Sequence, residues 1–215
     1  MQVYSGRTPG VEGSPSPCLH APPDNPPGVP TSAKNRALVL LSRWRINIGW
    51  LALLFIPLAQ PTVGTTLAWL PLLAVGVALR VWARGHLVRA KCVTQTGPYA
   101  LVRHPLYVGS FTIALSFAFM TRVALAPVVI TAVFLMMYVP KALREEAYLR
   151  KRFGSQYDEY ADRVGAFVPR VLPAGFGDAS FTWERVLGHR EWKTWMGIAA
   201  LLTFMFVRAA MMARH

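Results

Sequence analysis

The sequence predicts an all-α fold: a polytopic membrane helical bundle of about five transmembrane helices with a cytoplasmic helical cap. Three observations predict it. Hydrophobic residues make up 53% of the 215 positions and gather into runs. Lys and Arg outnumber Asp and Glu by 23 to 10, a net charge of +13, and they flank the runs while staying scarce inside them. No Asp or Glu occurs between Asp24 and Glu145. A basic patch on a soluble fold would point to nucleic acid, but basic loops between apolar runs are accounted for by positive-inside placement.

Residues 1–35 are crowded with Pro, Gly and Ser and hold little that fills a core, so they read as a disordered cytoplasmic tail. A partner-binding polyproline segment is the alternative. Residues 36–215 then form the integral membrane domain. Its first candidate span covers residues 36–59; the unbroken apolar part is shorter than the roughly 20 residues a crossing needs, so Arg43 and Arg45 must snorkel. The uncharged turn "QPTVGTT" leads to a second span over 67–83, and the basic loop that follows places residues 84–104 inside.

Pro105 suits the first turn of a helix, where its missing N–H costs nothing, and so opens the third span. "TRV" makes an outer turn, and a fourth span runs over 124–140 into a second basic segment, 141–170. Within it, 141–153 has the spacing of an amphipathic helix stopped by Gly154; Ser155 with Asp158 then reads as a capping box for a short second helix. Residues 192–213 form either a fifth span or an interfacial helix, since Arg208 is costly near a bilayer centre. The two cysteines, Cys18 and Cys92, lack metal spacing and read as free thiols, and the N-terminus lacks the pattern of a cleaved signal peptide.

Chemistry concentrates in two places. Glu145 and Glu146 appear side by side where the fourth span leaves hydrocarbon, and an acid at that depth is functional by default unless it is ion-paired. Arg103 and His104 precede Pro105 at the positive end of the third helix, a setting for an anion, or alternatively for a helix cap and a lipid phosphate. Together they suit a zwitterion that also bears a positive centre, the character of S-adenosylmethionine. No P-loop, strand-borne GxGxxG, HExxH or nucleophile elbow competes, and no metal site is indicated.

"GPYALVRHPLYVGS", followed by "REEAYLRKRFGSQYDEYADRVGAFVPRVLP", resembles the isoprenylcysteine carboxyl methyltransferase and phospholipid methyltransferase superfamily of integral membrane methyltransferases, in its bacterial form. The likeness covers about residues 63–173, with the cofactor-site motifs within 80–173. It implies S-adenosylmethionine bound from the cytoplasmic face of an inner membrane by Gly97, Tyr99, Arg103, His104, Tyr107, Gly109, Glu145 and Glu146, with Glu146 nearest the reacting centre as the catalytic residue. Lys141 stands where an arginine is expected from the eukaryotic prenylcysteine enzymes. Tyr157 and Tyr160 either close the pocket or pack. Phe111, Phe117, Phe134, Met136 and Met137 are candidates to receive a lipophilic chain. The expected activity is methyl transfer to a lipophilic or small carboxyl, thiol or amine acceptor, with membrane lipid as a partner. An NADPH-dependent membrane reductase of related fold and a non-catalytic membrane scaffold are the alternatives.

Overall fold

The computed structural model describes residues 18–20, 58–87, 92–170, 181–188 and 192–214. The tail and nearly all of the first candidate span lie outside them. The described elements are β1 (Cys18–His20), α1 (Val63–His86), β2 (Cys92–Thr94), a 3₁₀ turn (Gly97–Ala100), α2 (Pro105–Met120), α3 (Ala126–Phe153), α4 (Ser155–Arg163), α5 (Trp183–Gly188) and α6 (Trp192–Met212). The all-α reading holds: the β structure among the described residues is a three-residue antiparallel ladder in which His20 faces Cys92, and an isolated parallel bridge from Val102 to Gly165.

Three helices, α1, α3 and α6, are long and apolar enough to cross a membrane, and α2 is a shorter apolar helix, so the chain is an integral membrane protein. Thr62 and Thr65 cap α1 reciprocally, each hydroxyl accepting from the other's backbone N–H at 3.1 and 3.0 Å. Helix α2 begins at Pro105 as expected. Its 16 residues rise about 24 Å, less than a hydrocarbon core of about 30 Å. The turn after it places Arg122 at φ 58°.

Two elements differ from the sequence reading. The fourth span and the amphipathic helix are one 28-residue helix, α3, that runs through Pro140. The capping box is absent: Gly154, at φ 58°, holds the cap position, Ser155 is the first helical residue without a side-chain cap bond, and Asp158 turns to Arg150 at 3.0 Å. The positive φ is why glycine stands there. Arg208 is accommodated because its Nε donates to the Ala59 carbonyl at 2.7 Å.

The membrane-level core joins α1, α2 and α6 through Leu73, Ile113, Phe117, Met120 and Met205. Gly76 and Gly109 let α1 and α2 touch backbone to backbone. A second core at the other end joins Val93, Phe153, Tyr157, Tyr160 and Ala161, and it seats α4 beneath the 3₁₀ turn.

Candidate functional site

The turn before α2 is held from outside. Arg103 and His104 donate their backbone N–H groups to the carbonyls of Gly165 and Ala166 at 2.8 and 3.1 Å, and Tyr160 donates its hydroxyl to the Tyr99 carbonyl at 2.7 Å. The chain after α4 therefore clamps the "VRHP" turn. His104 occupies the N-cap position without a side-chain cap bond, which frees its ring for other contacts.

Those contacts reach α3. One oxygen of Glu146 accepts from Arg103 Nη2 and meets His104 Nε2, both at 3.1 Å, and all three side chains are at most 10% exposed. Tyr107 donates to Glu145 Oε2 at 2.7 Å, and Lys141 Nζ stands 4.7 Å from the Tyr107 ring centre. Polar groups 42 and 38 positions apart in the chain are thus brought together at one end of the bundle.

They surround a cavity of about 820 Å³, in the size range of small-ligand sites. Tyr99, Arg103, His104, Tyr107 and Glu145 line it. Glu146 lies behind that lining against Arg103 and His104. The two glycines serve packing: Gly97, at φ 58°, meets the His86 ring, and Gly109 meets Arg80 and the Gly76 carbonyl. Tyr157 and Tyr160 both pack and line the cavity. Of the candidate lipid-chain residues, Phe117 is in the core, Met136 is half exposed, and Phe134 reaches the cavity wall by stacking on Tyr138 at 4.1 Å.

Sequence reasoning missed Arg80 and Tyr138. Arg80 lines the cavity and donates to Ser110 of α2 and to Thr194 of α6 at 3.4 Å, tying three helices. Its signal was available, since an arginine inside the "LAWLPLLAVGVALRVWA" run is costly without such partners. Tyr138 carried none, because an aromatic in a membrane helix is ordinary.

The wall has unused donors. Tyr157 Oη and Arg103 Nε are buried without a hydrogen-bond partner among the described residues. Burial, reinforced by the Glu146 charge, pushes the Tyr157 phenol up, so it stays a neutral donor at ordinary pH. A buried donor left open costs free energy unless a ligand oxygen fills it. With Glu145 offering a carboxylate on the same cavity, the residues present fit a molecule carrying both oxygen acceptors and cationic groups, the character of S-adenosylmethionine. Among the described residues no group of three His, Cys, Asp or Glu is placed to hold a metal ion.

The profile of the phospholipid methyltransferase family matches residues 70–156, the stretch that carries α2, α3 and most of the cavity lining. The nickel-cobalt-cadmium resistance protein NccN of Alcaligenes xylosoxydans xylosoxydans is 34% identical over 94 residues, covering 43% of this chain and 44% of that protein. The cobalt-zinc-cadmium resistance protein CzcN of Cupriavidus metallidurans is 31% identical over 163 residues, 69% of this chain and 73% of its own length. The protein-S-isoprenylcysteine O-methyltransferase of Schizosaccharomyces pombe is 31% identical over 91 residues, 40% of this chain and 39% of that enzyme. The chain thus spans less than half the length of the first and third of these relatives and about three quarters of the second.

Proposed function

Because the chain belongs to the membrane superfamily that unites isoprenylcysteine carboxyl methyltransferases with phospholipid methyltransferases, we propose that it transfers a methyl group from S-adenosylmethionine to a lipophilic or small carboxyl, thiol or amine acceptor. The observation that carries this reading is the meeting of the "VRHP" turn with the twin glutamates around one cavity.

When bound, S-adenosylmethionine supplies an electrophilic methyl carbon attached to a sulfonium. The chain's own residues bind, orient and dry the site. Glu145, fixed by the Tyr107 hydroxyl, offers a carboxylate to an ammonium or to ribose hydroxyls. Arg103 and Tyr157 present open N–H and O–H donors to ligand oxygens. Glu146 keeps Arg103 in place by their buried ion pair, and the Gly165 and Ala166 carbonyls hold the turn rigid. The aromatic walls of Tyr99, Tyr107, Tyr138, Tyr157 and Tyr160 keep water out, and most of the rate comes from such alignment and dryness. Gly97 and Gly109, by lacking a side chain, let α1 and its neighbours close on the site. The basic loops on either side of the cavity support its lying on the cytoplasmic face of a bacterial inner membrane, by the positive-inside tendency.

Purified protein reconstituted with native lipid extract and methyl-labelled S-adenosylmethionine tests this directly. The expected result is a labelled product, together with thermal stabilisation by S-adenosylmethionine or S-adenosylhomocysteine. Stabilisation by NADPH alone would replace the proposal with a reductase, and no stabilisation by either would leave a scaffold.

A further inference from the structure

We infer that the groove between α1 and α6 holds an acyl chain of a glycerophospholipid, drawn from the leaflet on the side of the basic loops and bound as a resident lipid apart from the methyl-transfer cavity. The inference goes beyond the methyltransferase reading and stands without it.

The groove has a volume of about 690 Å³ and runs along α1 from Leu70 to Trp82, with Ile198 of α6 on the facing wall and Phe181 and Trp183 at one end. Every residue that lines it is aliphatic or aromatic. It exists because α1 presents alanines where a closed wall would need bulk: Ala74 and Ala78, one turn apart, both line it and are exposed. It shares no lining residue with the cavity that carries Tyr99, Arg103 and Glu145. Arg80 and Arg84 of α1 belong to that cavity, so neighbouring stripes of one helix serve two sites.

Length and depth choose the occupant. From Leu70 to Trp82 the helix rises about 18 Å, close to one leaflet of a hydrocarbon core about 30 Å thick. The middle of α1 falls near Ala74, so most of the groove lies in the half of the helix that ends at the basic loop. A partner's transmembrane helix would need a seat through both leaflets. A lipid chain needs one, with its head group at the interface.

The end toward the basic loop is built as such an interface. Phe181 packs against the His86 ring at 5.8 Å, and Trp183, 62% exposed, meets Phe181 edge-on at 5.1 Å. Arg185, two residues further on, donates to the Gly85 carbonyl at 3.3 Å, and Gly85 lies three residues past Trp82. A guanidinium is thereby fixed just beyond the apolar rim, at the level of a lipid phosphate. Leu73 and Ile198 line the groove and also belong to the core that joins α1, α2 and α6, so a chain seated there covers the open side of that core.

The test uses the full chain in detergent, washed free of lipid and mixed with one equivalent of dioleoylphosphatidylglycerol, with retained lipid read by native mass spectrometry. One lipid retained per chain is expected. Ala74→Phe and Ala78→Phe fill the groove from exposed positions and should each cut retention at least about tenfold, the loss of roughly two buried methylenes, while thermal stabilisation by S-adenosylhomocysteine stays at the wild-type level. Arg185→Gln should cut retention roughly two- to fivefold, the scale of an interfacial ion pair, and Arg185→Lys should restore it. A phospholipid brominated in the upper part of its chains gives a second readout that needs no groove variant: it should quench the wild-type tryptophan fluorescence at one equivalent, and Trp183→Phe should remove much of that quenching. Equal retention by wild type and both phenylalanine variants, or quenching unchanged in Trp183→Phe, overturns the inference. A retained lipid that becomes methylated by S-adenosylmethionine overturns it by making the lipid the acceptor. A dimer seen in wild type and lost in the phenylalanine variants overturns it in favour of a second copy of the chain.

Discussion

Replacing Gly76 by alanine tests whether α1 and α2 meet backbone to backbone. A Cβ at this position lies 2.8 Å from Ile113 Cγ1, 3.0 Å from the Gly109 carbonyl oxygen and 3.0 Å from the Ile113 nitrogen. Two of the three neighbours are α2 backbone, which cannot rotate aside, and ordinary contact begins at 3.4 Å. The helices must therefore part by roughly 0.4 Å along a seam that also carries the Leu73 and Ile113 packing. Overpacking of this kind costs about 1–3 kcal/mol. For a chain of this length that is a fall of roughly 2–12 °C in thermal midpoint. Gly197 supplies the control, since a Cβ there meets nothing within 4 Å, and alanine in an open helical position stabilises by up to about 1 kcal/mol. Thermal unfolding in detergent, followed by tryptophan fluorescence, should place Gly76→Ala well below wild type and Gly197→Ala at or above it. Equal midpoints for the two variants would refute the close approach, and with it the packing that positions the start of α2.

Other expectations follow from single contacts. Tyr157→Phe should leave stability within about 0.5 kcal/mol, because its hydroxyl has no protein partner among the described residues, yet weaken S-adenosylhomocysteine binding by roughly fivefold in calorimetry. Tyr160→Phe strands the Tyr99 carbonyl and should cost about 1–3 kcal/mol in a thermal melt. Burial raises the Tyr160 phenol, so the folded chain keeps a proton that the unfolded chain releases near pH 10; wild-type stability should fall above pH 10 and the phenylalanine variant should fall less. Asp158→Ala removes an ion pair whose two side chains are about half exposed, and should change stability by less than about 1 kcal/mol, with the difference vanishing in 1 M salt.

Much of the helical layout was legible because single residues punctuate it. Pro105 starts α2 and Gly154 ends α3, each for a backbone reason that a sequence displays. The change from apolar to basic composition at Lys141 divided what is one helix, since α3 continues through Pro140 to Phe153. The twin glutamates were legible as a pair and not as individuals. Neighbours on a helix diverge by about 100°. Glu145 consequently faces Tyr107 and the cavity, while Glu146 turns inward to Arg103 and His104. Nor does composition reveal that Gly165 and Ala166 carbonyls clamp the "VRHP" turn, because a main-chain bond leaves no side-chain signature. Arg80 and Tyr138 join the site only because three helices converge there.

The central claim is that the turn before α2 and the end of α3 enclose one methyl donor. Ultraviolet cross-linking of labelled S-adenosylmethionine to the full-length protein, followed by mapping of the labelled peptides, tests this most directly. Label confined to peptides within residues 96–110 and 141–160, and displaced by excess S-adenosylhomocysteine, is the predicted result. Label spread over α6 or insensitive to the competitor would contradict it.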